Sequence, residues 1–94
     1  MKPIRYSKHL IYKMALRKMS ASLVEKVFRE ADAIYLDKDT GYAIAIKHLE
    51  FHNKERDLAL TYEEKEEEIT FVTIHPLKEG QKENRINSGR WKRL

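Results

Sequence analysis

Two spacings divide this chain. From Ser7 to Ala31 apolar residues recur every three or four positions, the period of a helix face, and from Ala33 to His75 they recur mostly at every second position, the period of a strand. Ser7 stands where an N-cap belongs, so a first helix is expected from there to about Met19. Leu10, Ile11, Tyr12, Met14, Ala15, Leu16 and Met19 take most of its circumference, which predicts a helix pressed into a core. Ser22-Leu23-Val24-Glu25 has capping-box spacing, and Leu23, Val24, Val27, Phe28 and Ala31 form a stripe opposite Glu25, Lys26, Arg29 and Glu30. The pair reads as an αα-hairpin whose apolar faces need a common partner.

An antiparallel meander supplies it. Ala33 to Leu36 is a strand, Asp37-Lys38-Asp39-Thr40-Gly41 a turn, and Tyr42 to Leu49 the next strand. Glu50 to Glu55 reads as a polar turn, Leu58, Leu60 and Tyr62 alternate along a third strand, and Glu63 to Glu68 is a charged loop. Ile69 to His75 is apolar on both faces, which predicts the central strand, and Pro76 ends it. Pro3 to Tyr6 is a short extended lead-in, with an edge strand as the alternative. The expected class is α+β, with an N-terminal αα-hairpin on a twisted four-stranded antiparallel sheet. A single domain spans 1–94, and 78–94 forms a basic C-terminal tail.

Composition narrows the function. There is no cysteine, which removes disulfides, thiolate metal sites and cysteine nucleophiles and favours an intracellular setting. No apolar run approaches the roughly 18 residues of a membrane span, and Met1 to Arg5 leads into no signal-peptide core. The expectation is a cytoplasmic protein without membrane contact, and 36% charged residues beside one glutamine would suit a thermophile.

The net charge of +4 hides a segregation. Residues 1–30 hold eight Lys/Arg against two Glu, 31–77 hold five against eleven Asp/Glu, and 78–94 hold six against two. If the two ends of the chain meet, the fold acquires one basic side, the electrostatic footprint of a phosphate polymer. His9, Lys13 and Arg17, spaced by four on the first helix, would form one wall of it. The alternative is a solvated edge. Arg85, Arg90, Lys92 and Arg93 are the matching cations of the tail, and Trp91 either docks on the domain or stacks a base. His48 and His52 have the spacing of a helical metal pair but fall on a strand and turn, so no metal or cofactor is expected.

The order of several motifs resembles a known group. His9-x3-Lys13-Met14-x2-Arg17, Val24-Glu25-Lys26-Val27-Phe28, Val72-Thr73-Ile74-His75-Pro76 and Gly89-Arg90-Trp91 are similar to a small family of prokaryotic domains grouped with the RelE/ParE-like toxins, including BrnT. The resemblance implies two helices against a twisted sheet, one side of which takes mRNA on the ribosome and cleaves it without a metal. It also implies an antitoxin that wraps the domain. ParE-type relatives do not cleave RNA, so fold is better supported than activity.

Metal-free cleavage needs a base, an acid and cations around the phosphate. His75 is the expected base or acid, His9 its complement, and Arg17 the third catalytic group, with Lys13, Arg85, Arg90, Trp91, Lys92 and Arg93 binding RNA. The bland readings are a strand-end His75 capped by solvent and a His9 ring resting on Tyr6 or Tyr12. Two alternatives stand beside a ribonuclease toxin: a non-enzymatic module binding nucleic acid or protein, and a homodimer or antitoxin site on the helical edge. The anion-binding side requires His9, Arg17, His75 and Arg90 to lie on one side of the sheet.

Overall fold

The computed structural model describes residues 2–94. It is α+β, with three helices and a six-stranded mixed sheet. In chain order the elements are β1 (Ile4–Tyr6), α1 (Lys8–Arg17), α2 (Ala21–Arg29), β2 (Ala33–Asp37), β3 (Ala43–Phe51), β4 (Lys54–Glu64), β5 (Ile69–Pro76), α3 (Gln81–Asn87) and β6 (Trp91–Arg93). The strands lie in the order β1-β5-β4-β3-β2-β6. Among the described residues no helix is long and apolar enough to cross a membrane.

The expected four-stranded antiparallel sheet is therefore corrected at both edges. The lead-in pairs parallel with β5, Ile4 opposite Ile69 and Tyr6 opposite Phe71, and the tail supplies β6, antiparallel to β2 with Trp91 opposite Asp37. Neither three-residue strand carries a readable alternation, and each depends on a partner distant in sequence. Residues 78–94 are not a free tail, because α3 and β6 are built from them.

Strand β5 is not central. It lies beside β1 at one margin, and its doubly apolar appearance comes from a bulge. Thr61 pairs with Thr73 and Tyr62 with Phe71, so Val72 has no partner and side-chain parity shifts there. Phe71 and Ile74 consequently face the same core, both fully buried, while Thr73 and His75 face the other side.

Helix α1 begins as expected, the Ser7 hydroxyl accepting from the Leu10 amide at 3.0 Å, but ends at Arg17, with Lys18 left-handed at φ 54°. The cap of α2 is Ser20 rather than Ser22, its hydroxyl accepting from the Leu23 amide at 3.1 Å. The helices share one face of the sheet, α1 over β5 and α2 over β3 and β4. Leu10, Val24 and Val27 meet Leu58, Leu60, Phe71 and Ile74 there. Ile11, Tyr12 and Leu16 are more than half exposed, so α1 is buried on one side only, against the expectation of a largely enclosed helix. The polar turn after β3 shrinks to His52-Asn53, both with positive φ, as a two-residue hairpin requires. The turn closed by Gly41 at φ 80° is as expected, with the Gly41 amide donating to the Asp37 carbonyl at 2.7 Å.

The opposite face carries a smaller core of Tyr35, Ile44, Ile46, Ala59, Leu77 and Trp91, with Ile86 of α3 against it. Helices α1 and α2 do not cover this face. It is partly open.

Candidate nucleic-acid interface

His75 stands on that open face, opposite Ala59 in the neighbouring strand. Beyond Tyr6 strand β1 stops, and the exposed edge of β5 is taken over by side chains of the segment that follows. The Ser7 hydroxyl donates to the Val72 carbonyl at 2.6 Å, and Arg17 Nη1 donates to the Ile74 carbonyl at 3.2 Å. This brings the C-terminal turn of α1 round the sheet margin to His75. Lys13, one turn earlier, follows it, and Arg85 arrives from α3 on the other side.

The imidazole is half-buried, with no hydrogen-bond partner among the described residues. Burial lowers its pKa from the ordinary value, and the charges of Arg17, Arg85 and Lys13 lower it further. Both effects favour the uncharged ring. A cleft of about 330 Å³ runs beside it, lined on the sheet by Tyr42, Ile44, Thr61, Thr73 and His75 and closed at the far end by Asp37, Arg90 and Trp91.

That far end is built for stability. Asp37 is buried, and Arg90 donates to both its carboxylate oxygens, Nε to Oδ1 and Nη2 to Oδ2, each at 3.1 Å. Burial alone would raise the Asp37 pKa; the Arg90 hydrogen bonds, the Asp39 amide and the Arg90 charge outweigh it and hold the carboxyl below its ordinary value. Arg90 also lies 3.3 Å from Asp39. Its charge is already met by two carboxylates within the fold. Trp91 is 4% exposed, stacked on Tyr35 with centroids 5.8 Å apart and with the Arg85 guanidinium 5.8 Å from its ring centroid. Of the two readings of Trp91, docking is the one the structure contains.

Compared with family models, curated proteins and solved structures, the chain matches none. The geometry alone carries the site.

Of the residues expected there, Arg17, Lys13, Arg85 and His75 come together, and Arg90 and Trp91 share the cleft but are already engaged. Arg93 lies over the Tyr35 ring at 5.7 Å on the same face, and register places Lys92 on the opposite one, exposed. His9 is exposed in the first turn of α1, eight residues or ~12 Å of helix from Arg17, and is not among the groups acting on His75. The requirement that His9, Arg17, His75 and Arg90 share one side is not met, because His9 stands apart from the other three. Thr61, Thr73, Tyr42 and Asp37 were missed. Strand parity with His75 would have found Thr73, but Thr61 needs the β4 register and Asp37 needs its arginine.

Elsewhere, His48 contacts Asp57 at 2.9 Å and Glu55 at 3.2 Å, and His52 Nε2 lies 3.0 Å from the Arg17 carbonyl. No cluster of three or more metal-ligating side chains occurs among the described residues. A second cleft, about 290 Å³, adjoins His48, but Lys54, Arg56, Lys78 and Lys82 are balanced there by Glu55, Asp57, Glu79 and Glu83. It has no net sign with which to select an ion.

Proposed function

We propose that the open face of the sheet binds RNA, with backbone phosphate held by Lys13, Arg17 and Arg85 and the adjacent nucleotide lying in the cleft beside Tyr42 and Thr73. One observation carries the reading: Arg17 reaches the Ile74 carbonyl beside His75, Arg85 lines the same cleft, Lys13 lies one turn from Arg17, and none of the three is in an ion pair among the described residues. Such a cluster repels itself unless an anion arrives. Phosphate is the anion that arginine holds best, through two parallel hydrogen bonds.

In this reading His75, in its neutral form, takes the proton of a ribose 2′-hydroxyl next to the bound phosphate. The 2′ oxygen then attacks phosphorus, the bond to the 5′ oxygen breaks, and that oxygen takes a proton from water. The products are a 2′,3′-cyclic phosphate and a 5′-hydroxyl. Lys13, Arg17 and Arg85 would stabilise the charge gathering on the phosphoryl oxygens. The experiment is incubation of labelled single-stranded RNA in EDTA. Product that disappears in His75→Ala with the fold intact supports the ribonuclease, and cleavage retained in that variant removes His75 from it.

A binding module without chemistry is the second reading, favoured by the position of His9. The cleft holds one histidine, so the acid–base pair expected from the sequence is incomplete. Salt-dependent binding with no product would establish this version, and affinity indifferent to salt would defeat both.

A further inference from the structure

Residues 78–89 cross the open face without a backbone hydrogen bond to the sheet among the described residues. The chain is pinned on either side of them. The Leu77 amide donates to the Asp57 carbonyl at 2.8 Å, the Arg90 carbonyl accepts from the Lys38 amide at 2.8 Å, and Leu77 and Trp91 are both buried. Between those pins the backbone bonds close within the stretch itself, from Gln81 to Lys78, Asn84 to Gly80, Ser88 to Asn84 and Gly89 to Ile86. Helix α3, which the stretch contains, has no buried residue, and Gly80 at its head has no side chain to cap it. Gly80 at φ 80° and Gly89 at φ 83° bend the chain at its two ends, with open space around each.

Side chains hold the stretch down. Ile86 rests on the smaller core, Lys82 Nζ lies 3.3 Å from Asp57 Oδ2, and the Arg85 guanidinium stands over Trp91. These ties are weak, since a partly exposed ion pair contributes little in water and a helix of seven residues is not stable by itself. Few buried apolar contacts and backbone bonds open to water mark a unit that opens before the rest of the fold.

Position gives such an opening a use. Lys78, Gly80 and Lys82 line the cleft beside His48, and Arg85 lines the one beside His75, so the stretch forms a wall of both. Lys82 and Arg85 stand three residues apart with different counter-charges. Lys82 meets a carboxylate of the sheet, whereas Arg85 is in no ion pair among the described residues. The fold latches the first, and an incoming anion would latch the second.

We propose that residues 78–89 form a strap that opens and closes over the sheet as one unit, latched by Lys82 on Asp57 and, when phosphate occupies the His75 cleft, by Arg85 as well. The Arg85 latch rests on the phosphate reading above; the Lys82 latch acts without a ligand. Apparent affinity then scales with the fraction of molecules whose strap is closed, so Lys82 affects binding from outside the cleft beside His75.

Hydrogen exchange of the whole chain tests this, read at the Asn84, Ser88 and Gly89 amides against those of β3 and β4. Without ligand the three amides are expected to exchange together, at least about tenfold faster than the strand amides. Lys82→Gln should speed them about threefold and leave the strands unchanged, and Lys82→Arg should not speed them. Saturating single-stranded RNA should slow them about tenfold, and should not do so in Arg85→Gln at concentrations that saturate that variant. Exchange at the strand rate in every variant would make α3 part of the cooperative fold, and exchange without any protection would leave no closed state; either overturns the strap. RNA that binds without slowing the three amides overturns the Arg85 latch and leaves phosphate binding intact. RNA that does not bind removes the site and the ligand-held closure with it, while the ligand-free comparison of Lys82→Gln still decides the strap.

Discussion

The chain has two basic regions that look alike on paper and meet opposite fates. Along α1, Lys13 and Arg17 are in no ion pair among the described residues, and the Arg17 guanidinium donates to the backbone carbonyl of Ile74 at the margin of the open face. In the segment Arg90 to Arg93, the first arginine is consumed by Asp37, the tryptophan is buried, and Arg93 lies on an aromatic ring. Composition counts cations; only the location of the counter-charge says which are available. A buried carboxylate in β2 settles the matter for Arg90, and among the described residues no carboxylate does so for Lys13, Arg17 or Arg85.

The contrast can be broken by substitution. Trp91→Ala should have the largest effect, a loss of about 3–5 kcal/mol in denaturant unfolding, because an enclosed aromatic leaves a cavity. A loss below about 1 kcal/mol would return Trp91 to the surface and to the ligand. Arg90→Ala should cost about 2–4 kcal/mol by leaving a buried carboxylate unpaired, and Asp37→Asn in the same chain should restore part of it. Failure of that rescue would show that Arg90 is not held by Asp37.

Arg17→Ala and Lys13→Ala should do the reverse, weakening RNA binding about five- to tenfold and reducing the dependence of log affinity on log salt by about one unit each. Unfolding should change by less than about 1 kcal/mol, the worth of one hydrogen bond. Lys92→Ala should alter neither measurement, within about 0.5 kcal/mol for stability.

The smallest signal belongs to pH. Because the folded His75 has a pKa below that of the unfolded chain, near 6.5, folding favours its neutral form. Its contribution to stability is complete above that value and declines as pH falls towards the folded pKa. His75→Gln should remove this part of the profile. A bound phosphate opposes the same shift, so RNA affinity should strengthen as pH falls, and should do so less in His75→Gln; the opposite slope would place phosphate elsewhere.

Elements with a long, local pattern were legible from sequence. Ser7 as a cap, the stripe of α2 and the strands around Gly41 follow from residue spacing, and the structure has them. What was not legible is non-local. Nothing near Ile4 announces Ile69, so the edge strand open to residues 3–6 had no partner in view, and nothing near Trp91 announces Asp37, so β6 reads as tail. The bulge at Val72 defeated the reading of β5 because one unpaired residue exchanges the two faces of everything after it. On α1, the apolar count could not tell residues facing the sheet from residues facing water. At the site, charge spacing identified Lys13 and Arg17, while the separation of His9 from His75 needed the third dimension.

The two closures of the sheet also bear on how the chain acquires its shape during synthesis. The β3–β4 hairpin needs only neighbours, and can form soon after its residues emerge. By contrast, Ser7 is joined to Val72 across 65 residues and Asp37 to Arg90 across 53. Until those late residues are made, β2 has no outer neighbour and the carboxylate of Asp37 has no guanidinium. The native sheet is therefore expected to stay incomplete until Arg90 has been made, and a nascent chain halted before Arg90 would hold a hairpin, two helices and an unsealed sheet.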